Sequence, residues 1–200
     1  MMNQLRQEYL TWRRRILTRI VRRRIDISDV SLISMNCIGG ILYHDCEQKF
    51  LSPTVNLYFT APDFIKFVNH LDTYLNMTPD VVMGEKFPVG TLGDIKIYFM
   101  HFDSPEQASE KWEARKARIN KDKIFVIMVE REGFDDEVFE AFKQIPYPKF
   151  LFTKSEKYKC SDALYMPRYR NEPELPDIIP GRYMYDGMKL VNAIRKSYSK

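Results

Sequence analysis

Seven short apolar runs separated by helix-length segments constrain this chain more than any other feature. Runs at about 30–35, 55–59, 80–84, 94–101, 124–130, 149–153 and 163–166 have the length and the β-branched and aromatic content of strands. Between them, apolar residues recur at three- and four-residue spacing over about 38–48, 62–75, 104–119, 135–144 and 186–198, which predicts helices. Pro62 with Asp63, and Ser104 with Pro105, supply the residues that helix starts favour. The alternation predicts an α/β fold over residues 26–200: a single domain with a mixed or mostly parallel sheet, covered by helices on both faces in three layers. Residues 167–182, with four prolines and no period, predict an ordered surface excursion into the last helix or a join to a partner.

Residues 1–25 stand apart. Leu5, Tyr9, Trp12, Ile16 and Ile20 repeat every three or four residues, predicting an amphipathic helix over 3–25. Its other face is almost entirely arginine: residues 1–25 hold eight arginines and one glutamate, or +7, so the rest of the chain carries −3 of the overall +4. Three readings compete: a solvated face on a docked helix, a peripheral anchor on anionic lipid, and a nucleic-acid arm. The acidic remainder argues against nucleic acid as a partner.

No apolar run reaches the roughly 18 residues needed to span a bilayer, and the arginine-rich opening lacks the apolar centre of a secretory signal. The expected location is therefore cytoplasmic, with residues 3–25 able to place the protein on the inner face of the membrane. Cys37, Cys46 and Cys160 are odd in number and have no CxxC spacing, so free thiols are expected rather than a disulfide framework or a zinc site. The common nucleotide, metalloprotease and serine-hydrolase motifs are absent, as is any DxD pair. Neither a metal nor a cofactor is expected.

Candidate chemistry gathers where strands end, because ligands of open α/β sheets bind beyond the carboxyl ends of the strands. The first strand runs into Asn36-Cys37-Ile38-Gly39-Gly40, and His101 closes the strand expected at 94–101. A helix start at Cys37 would favour its thiolate as a nucleophile; the alternative is a small core residue. His101 and His44 are candidate general bases. Trp112, Arg115 and Arg118 recur every three residues, so two guanidinium groups could converge on a phosphate or carboxylate, or instead pair with nearby acids while Trp112 packs inward. Ser52, Thr54 and Asn56 either face the same crevice or cap a turn. Tyr58, Phe59, Tyr98 and Phe99 alternate with aliphatic residues and read as core.

Taken together, Asn36-Cys37-x-Gly39-Gly40, Ser52-Pro53-Thr54-x-Asn56-Leu57, Asp63-Phe64, Pro88-Val89-Gly90, His101-Phe102, Trp112-x-x-Arg115-x-x-Arg118-Ile119-Asn120 and Tyr185-Asp186…Asn192 resemble the DUF1919 family. Its bacterial members are often labelled exopolysaccharide or capsule biosynthesis proteins. The resemblance covers about residues 28–195 and implies an α/β domain with a place in surface-polysaccharide assembly, and no particular reaction.

The combined expectation is a membrane-peripheral transferase acting on a glycan or its phosphate-containing activated donor. Arg115, Arg118 and Trp112 would hold the substrate with Ser52, Thr54 and Asn56, His101 would act as base, and the Asn36–Gly40 turn, including Gly39, would offer backbone donors. Two alternatives stand beside it. One is a non-catalytic partner of a membrane-bound polysaccharide enzyme, docked through residues 3–25; the other is a Cys37-dependent acyltransferase or hydrolase.

Overall fold

The computed structural model describes residues 2–198; residues 1, 199 and 200, the outer ends of the two expected segments, lie outside the described residues. Helix α1 (Met2–Arg24) leads into strand β1 (Ser31–Ser34) and helix α2 (Ile38–Asp45). Helices α3 (Ala61–Asn69) and α4 (Leu71–Leu75) precede the meander of β2 (Asp80–Met83), β3 (Pro88–Leu92) and β4 (Ile95–Tyr98). Then follow α5 (Pro105–Lys116), β5 (Ile124–Val129), α6 (Asp136–Gln144), β6 (Lys149–Thr153), β7 (Ala163–Tyr165) and α7 (Lys189–Tyr198). Hydroxyl and carboxylate caps fix the starts of three helices: Thr60 accepts from Asp63 N, Ser104 from Gln107 N and Asp135 from Val138 N.

The fold is mixed α/β. A parallel sheet has the order β1-β5-β6-β7, and β2-β3-β4 form a separate antiparallel sheet. Strand β5, IFVIMV, is buried at every position because both faces of the parallel sheet are covered. Ile124, Val126 and Met128 enter one apolar core with α3, α5 and α6; Phe125, Ile127 and Val129 enter a second with α2, α7 and the end of α1. Period-two alternation thus divides the helices into two outer layers.

Several expectations change in detail. Residues 55–59 do not form a strand: Tyr58 makes an isolated bridge to Tyr98, and Phe59 N donates to Met35 O, so this segment couples the two sheets. Strand β3 has no counterpart in the apolar pattern, because Pro88-Val89-Gly90-Thr91-Leu92 lacks a continuous apolar run. It is paired with β4 across a two-residue connection in which Gly93 takes φ +62°. The proline-rich segment runs over the surface as far as Glu174 and then folds back, with Leu175 and Ile178 buried in the second core and Arg182 buried beside it. It ends in a kinked 3₁₀ stretch, Pro180–Met188, so α7 begins three residues later than expected.

Edge strand β1 is shielded on its free side. Tyr43 accepts from Leu32 N at 2.8 Å while donating to Val30 O at 2.6 Å, and Thr54 Oγ1 accepts from Ser34 N at 2.9 Å. Each outward amide thereby finds a partner without another strand. α2 lies close enough that a Cβ on Gly39 would sit 2.9 Å from Ser34 Cβ, so glycine is what permits the approach.

Candidate functional site

Strands β1 and β5 are parallel neighbours, so the residues after Ser34 and after Val129 emerge at the same sheet edge. A cavity of about 600 Å³ opens there. Met35, Asn36 and Cys37 come from the β1 end, Arg131 and Glu132 from the β5 end, and His101 from the turn after β4. The proline-rich segment adds Asp177, and Tyr58 and Phe87 add an aromatic wall. Concavities of about 270 and 630 Å³ lie near the amino ends of the strands, beside Lys123 and Lys149, away from the edge where α/β sheets hold their ligands. Mostly apolar walls with a few convergent polar groups are what a small-molecule site requires.

Local structure sets each polar group. Asn36 Oδ1 accepts from Ile38 N at 3.1 Å, which starts α2 and leaves the Asn36 amide nitrogen without a partner among the described residues. His101 does not close a strand: β4 ends at Tyr98, and His101 sits exposed in the turn closed by Phe102 N donating to Phe99 O. Behind Arg131, the carboxylate of Glu130 is buried. It accepts from the Thr153 and Ser155 hydroxyls and from the amides of Lys154 and Ser155 at 2.8 and 3.0 Å, locking the ends of β5 and β6 together. Glu132 adopts φ +55°, a conformation uncommon for a non-glycine residue, while its carbonyl receives Ala61 N and its amide donates to Glu174. Tyr58 stacks on Tyr98 with centroids 4.6 Å apart, and burial, with Glu132 adding to it, raises its phenol pKa.

Other sequence candidates serve the fold. Trp112 is buried among Phe67 and Phe99. Arg115 is buried on the same helix face, donates to Val55 O at 2.6 Å and lies 5.5 Å from the rings of both Phe50 and Phe102. Its guanidinium is thus committed, while Arg118 is exposed, so the two do not converge on one ligand. Ser52 and Thr54 bond to each other and cap the β1 edge. Asn56 takes φ +66°, which asparagine tolerates better than most residues. Gly39 and Gly40 pack against Ser34 and Val55 rather than line the cavity. His44 belongs to a different cleft, beside α1.

Cys37 lines the cavity with a changed chemistry. Burial, with the negative charge of Asp177 adding to it, pushes its thiol up to about 11, opposite to the lowering expected of a nucleophile at a helix start. At neutral pH the thiol is protonated, and thiolate appears only as pH climbs towards that value. Alkylation of Cys37 by iodoacetamide at pH 7.5 is therefore expected to run about a hundredfold slower than for an ordinary thiol, and to accelerate steadily to pH 10. Peptide mass spectrometry reads the rate. Fast labelling at pH 7.5 would contradict the assignment.

The residues that spacing alone did not single out are Arg131, Glu132, Asp177 and Tyr58. For the first two a signal existed: Glu130-Arg131-Glu132 directly follows the most apolar strand, in the position that Asn36 holds after β1. A family model described as a domain of unknown function, DUF1919, matches residues 9–196. An uncharacterized protein of Haemophilus influenzae is 33% identical over 177 residues, covering 85% of this chain and 86% of that relative. The family match spans the α/β core together with the loops that line the cavity, and on both matches the chain belongs to the DUF1919 family.

Proposed function

We propose that this protein is a peripheral enzyme of bacterial surface-polysaccharide assembly, a transferase that takes a glycan or its phosphate-activated donor in the cavity at the β1–β5 edge. The observation that carries the reading is the meeting of Asn36, His101, Arg131, Glu132 and Asp177 with the Tyr58–Phe87 wall around one opening of about 600 Å³. An aromatic wall suits the apolar face of a sugar ring, and Arg131 suits a phosphate or carboxylate. His101, exposed at the rim, takes the acceptor hydroxyl's proton as general base; the acceptor oxygen bonds the anomeric carbon as its bond to the phosphate oxygen breaks, the phosphate leaves paired with Arg131, and the Asn36 amide nitrogen donates to the transferred sugar. Arg131 replaces Arg115 in the anion-binding role.

Among the described residues no helix is long and apolar enough to cross a membrane. Leu5, Tyr9 and Trp12 are nonetheless 61%, 51% and 60% exposed along one side of α1, beside its arginines, which supports attachment at an anionic inner-membrane surface. The same stripe supports a second reading, a non-catalytic partner that docks on a membrane-bound polysaccharide enzyme.

Complementation separates the two readings. In a strain lacking the gene, His101→Ala and Arg131→Ala chains that accumulate normally should fail to restore surface polysaccharide, whereas the wild-type chain restores it. Full restoration by both site variants, with failure of Leu5→Ser/Trp12→Ser, would favour the docking partner. Unchanged surface polysaccharide in the deletion strain would refute both.

A further inference from the structure

Helix α1 has three distinct sides. Leu17 and Val21 enter the second core and Leu10 meets Gly181, while Arg13 donates to Gly181 O at 2.7 Å and pairs with Asp186, so one side is docked on the 180–188 stretch. Leu5, Tyr9 and Trp12 form the exposed apolar side. On the third side, Arg14, Arg15, Thr18, Arg19 and Arg22 face the end of α2, where they and His44 line a cleft of about 550 Å³.

The charge of that cleft is only partly compensated. Arg22 pairs with Glu47 at 2.6 Å, and the buried Asp45 is taken by Arg182. Among the described residues Arg14, Arg15 and Arg19 make no ion pair, which leaves three guanidinium groups around one opening. Several uncommitted cations around one opening are the counterpart of an empty anion site, since each gains a partner when a multiply charged oxyanion enters.

We propose that the α1–α2 cleft binds a phosphate group, as a phosphomonoester or pyrophosphate, through Arg14, Arg15 and Arg19, with His44 at its edge. Phosphate is favoured over a single carboxylate because it offers enough charge and oxygen atoms for three forked donors. At about 100° per residue the arginine side adjoins the Leu5–Tyr9–Trp12 stripe, with Arg19 next to Trp12. The cleft would then sit at headgroup depth whenever that stripe enters a bilayer, so the phosphate comes either from a lipid headgroup or from a soluble ligand. The proposal does not rest on the transferase reading, whose cavity lies beyond the strand ends.

Histidine-labelled full-length protein tests it by NMR, since His44, His70 and His101 are the only histidines in the chain. Titration with inorganic pyrophosphate should move the His44 resonance and leave His70 still, and Arg15→Gln/Arg19→Gln should weaken the response about tenfold or more. In the second arm, phosphatidylcholine vesicles with and without phosphatidic acid are compared for co-sedimentation. Binding only to phosphatidic acid vesicles, lost in the arginine variant, assigns the phosphate to a headgroup. A His44 response to pyrophosphate without vesicle binding assigns it to a soluble ligand. Leu5→Ser/Trp12→Ser should lose the vesicles yet keep the pyrophosphate response. No His44 response to either probe, or an equal response in a folded Arg15→Gln/Arg19→Gln chain, would overturn the site.

Discussion

Asp45→Ala should destabilise the protein by about 3–5 kcal/mol, because it strands a buried cation and a buried phenol together. Arg182 donates to both Asp45 oxygens, at 2.5 and 2.8 Å, and Tyr185 donates to one of them at 2.8 Å. Both charged side chains are almost wholly buried. The network also joins α2 to the 3₁₀ stretch on which α1 rests, so its loss should loosen α1 first. For a chain of this size the expected fall in Tm is about 10 °C or more. Thermal unfolding by circular dichroism measures it, and Asp45→Leu/Arg182→Met should recover much of the loss because neither charge is then left unpaired. A fall of only a degree or two in the single variant would show that solvent already screens the pair.

Glu130→Ala should be nearly as severe, at about 3 kcal/mol or more, since several donors lose a shared acceptor in a buried place. Thr153, Ser155 and two backbone amides converge on that carboxylate, with Lys154 Nζ 3.7 Å away. The effect should extend to function, because Arg131 and Glu132 are the next two residues and their placement follows from where Glu130 is anchored. Glu130→Gln keeps two accepting lone pairs but turns two donors towards donors, so it should fall between wild type and alanine. Chemical denaturation gives the order. Equal stability of all three chains would mean the cluster does not hold the β5 and β6 ends together.

The layers of the fold were readable because burial imposes a period. Strand β5 announced itself by six consecutive apolar residues, and the helices by their three- and four-residue spacing. Where packing is set by contacts distant in sequence, the pattern was silent. Strand β3 is held by its neighbours rather than by its own composition, and the buried part of the proline-rich segment has no period at all. The site divides in the same way. Strand-end reasoning led to Asn36, Cys37 and His101, which the fold brings to one cavity. It could not reach Asp177, whose position depends on how residues 167–182 fold back. Nor could spacing tell a ligand-binding arginine from one that caps a loop. Arg115 sits between two aromatic rings with Val55 O as its acceptor, and only the Phe50 and Phe102 contacts reveal that. Ser52 and Thr54 are polar for the sake of a buried strand edge that no other strand pairs, a need that appears only once β1 is known to be terminal in its sheet.

The central claim is that the β1–β5 edge holds the substrate, and the His101 resonance tests it most directly. Titrating histidine-labelled protein with UDP-glucose, a phosphate-activated sugar, should move His101 in a saturable way. Arg131→Ala should weaken that response about tenfold or more by removing the anion's bidentate partner. A His101 signal that stays fixed at saturating UDP-glucose and at high concentrations of other sugar nucleotides, or one that moves equally in the Arg131→Ala chain, would contradict the account.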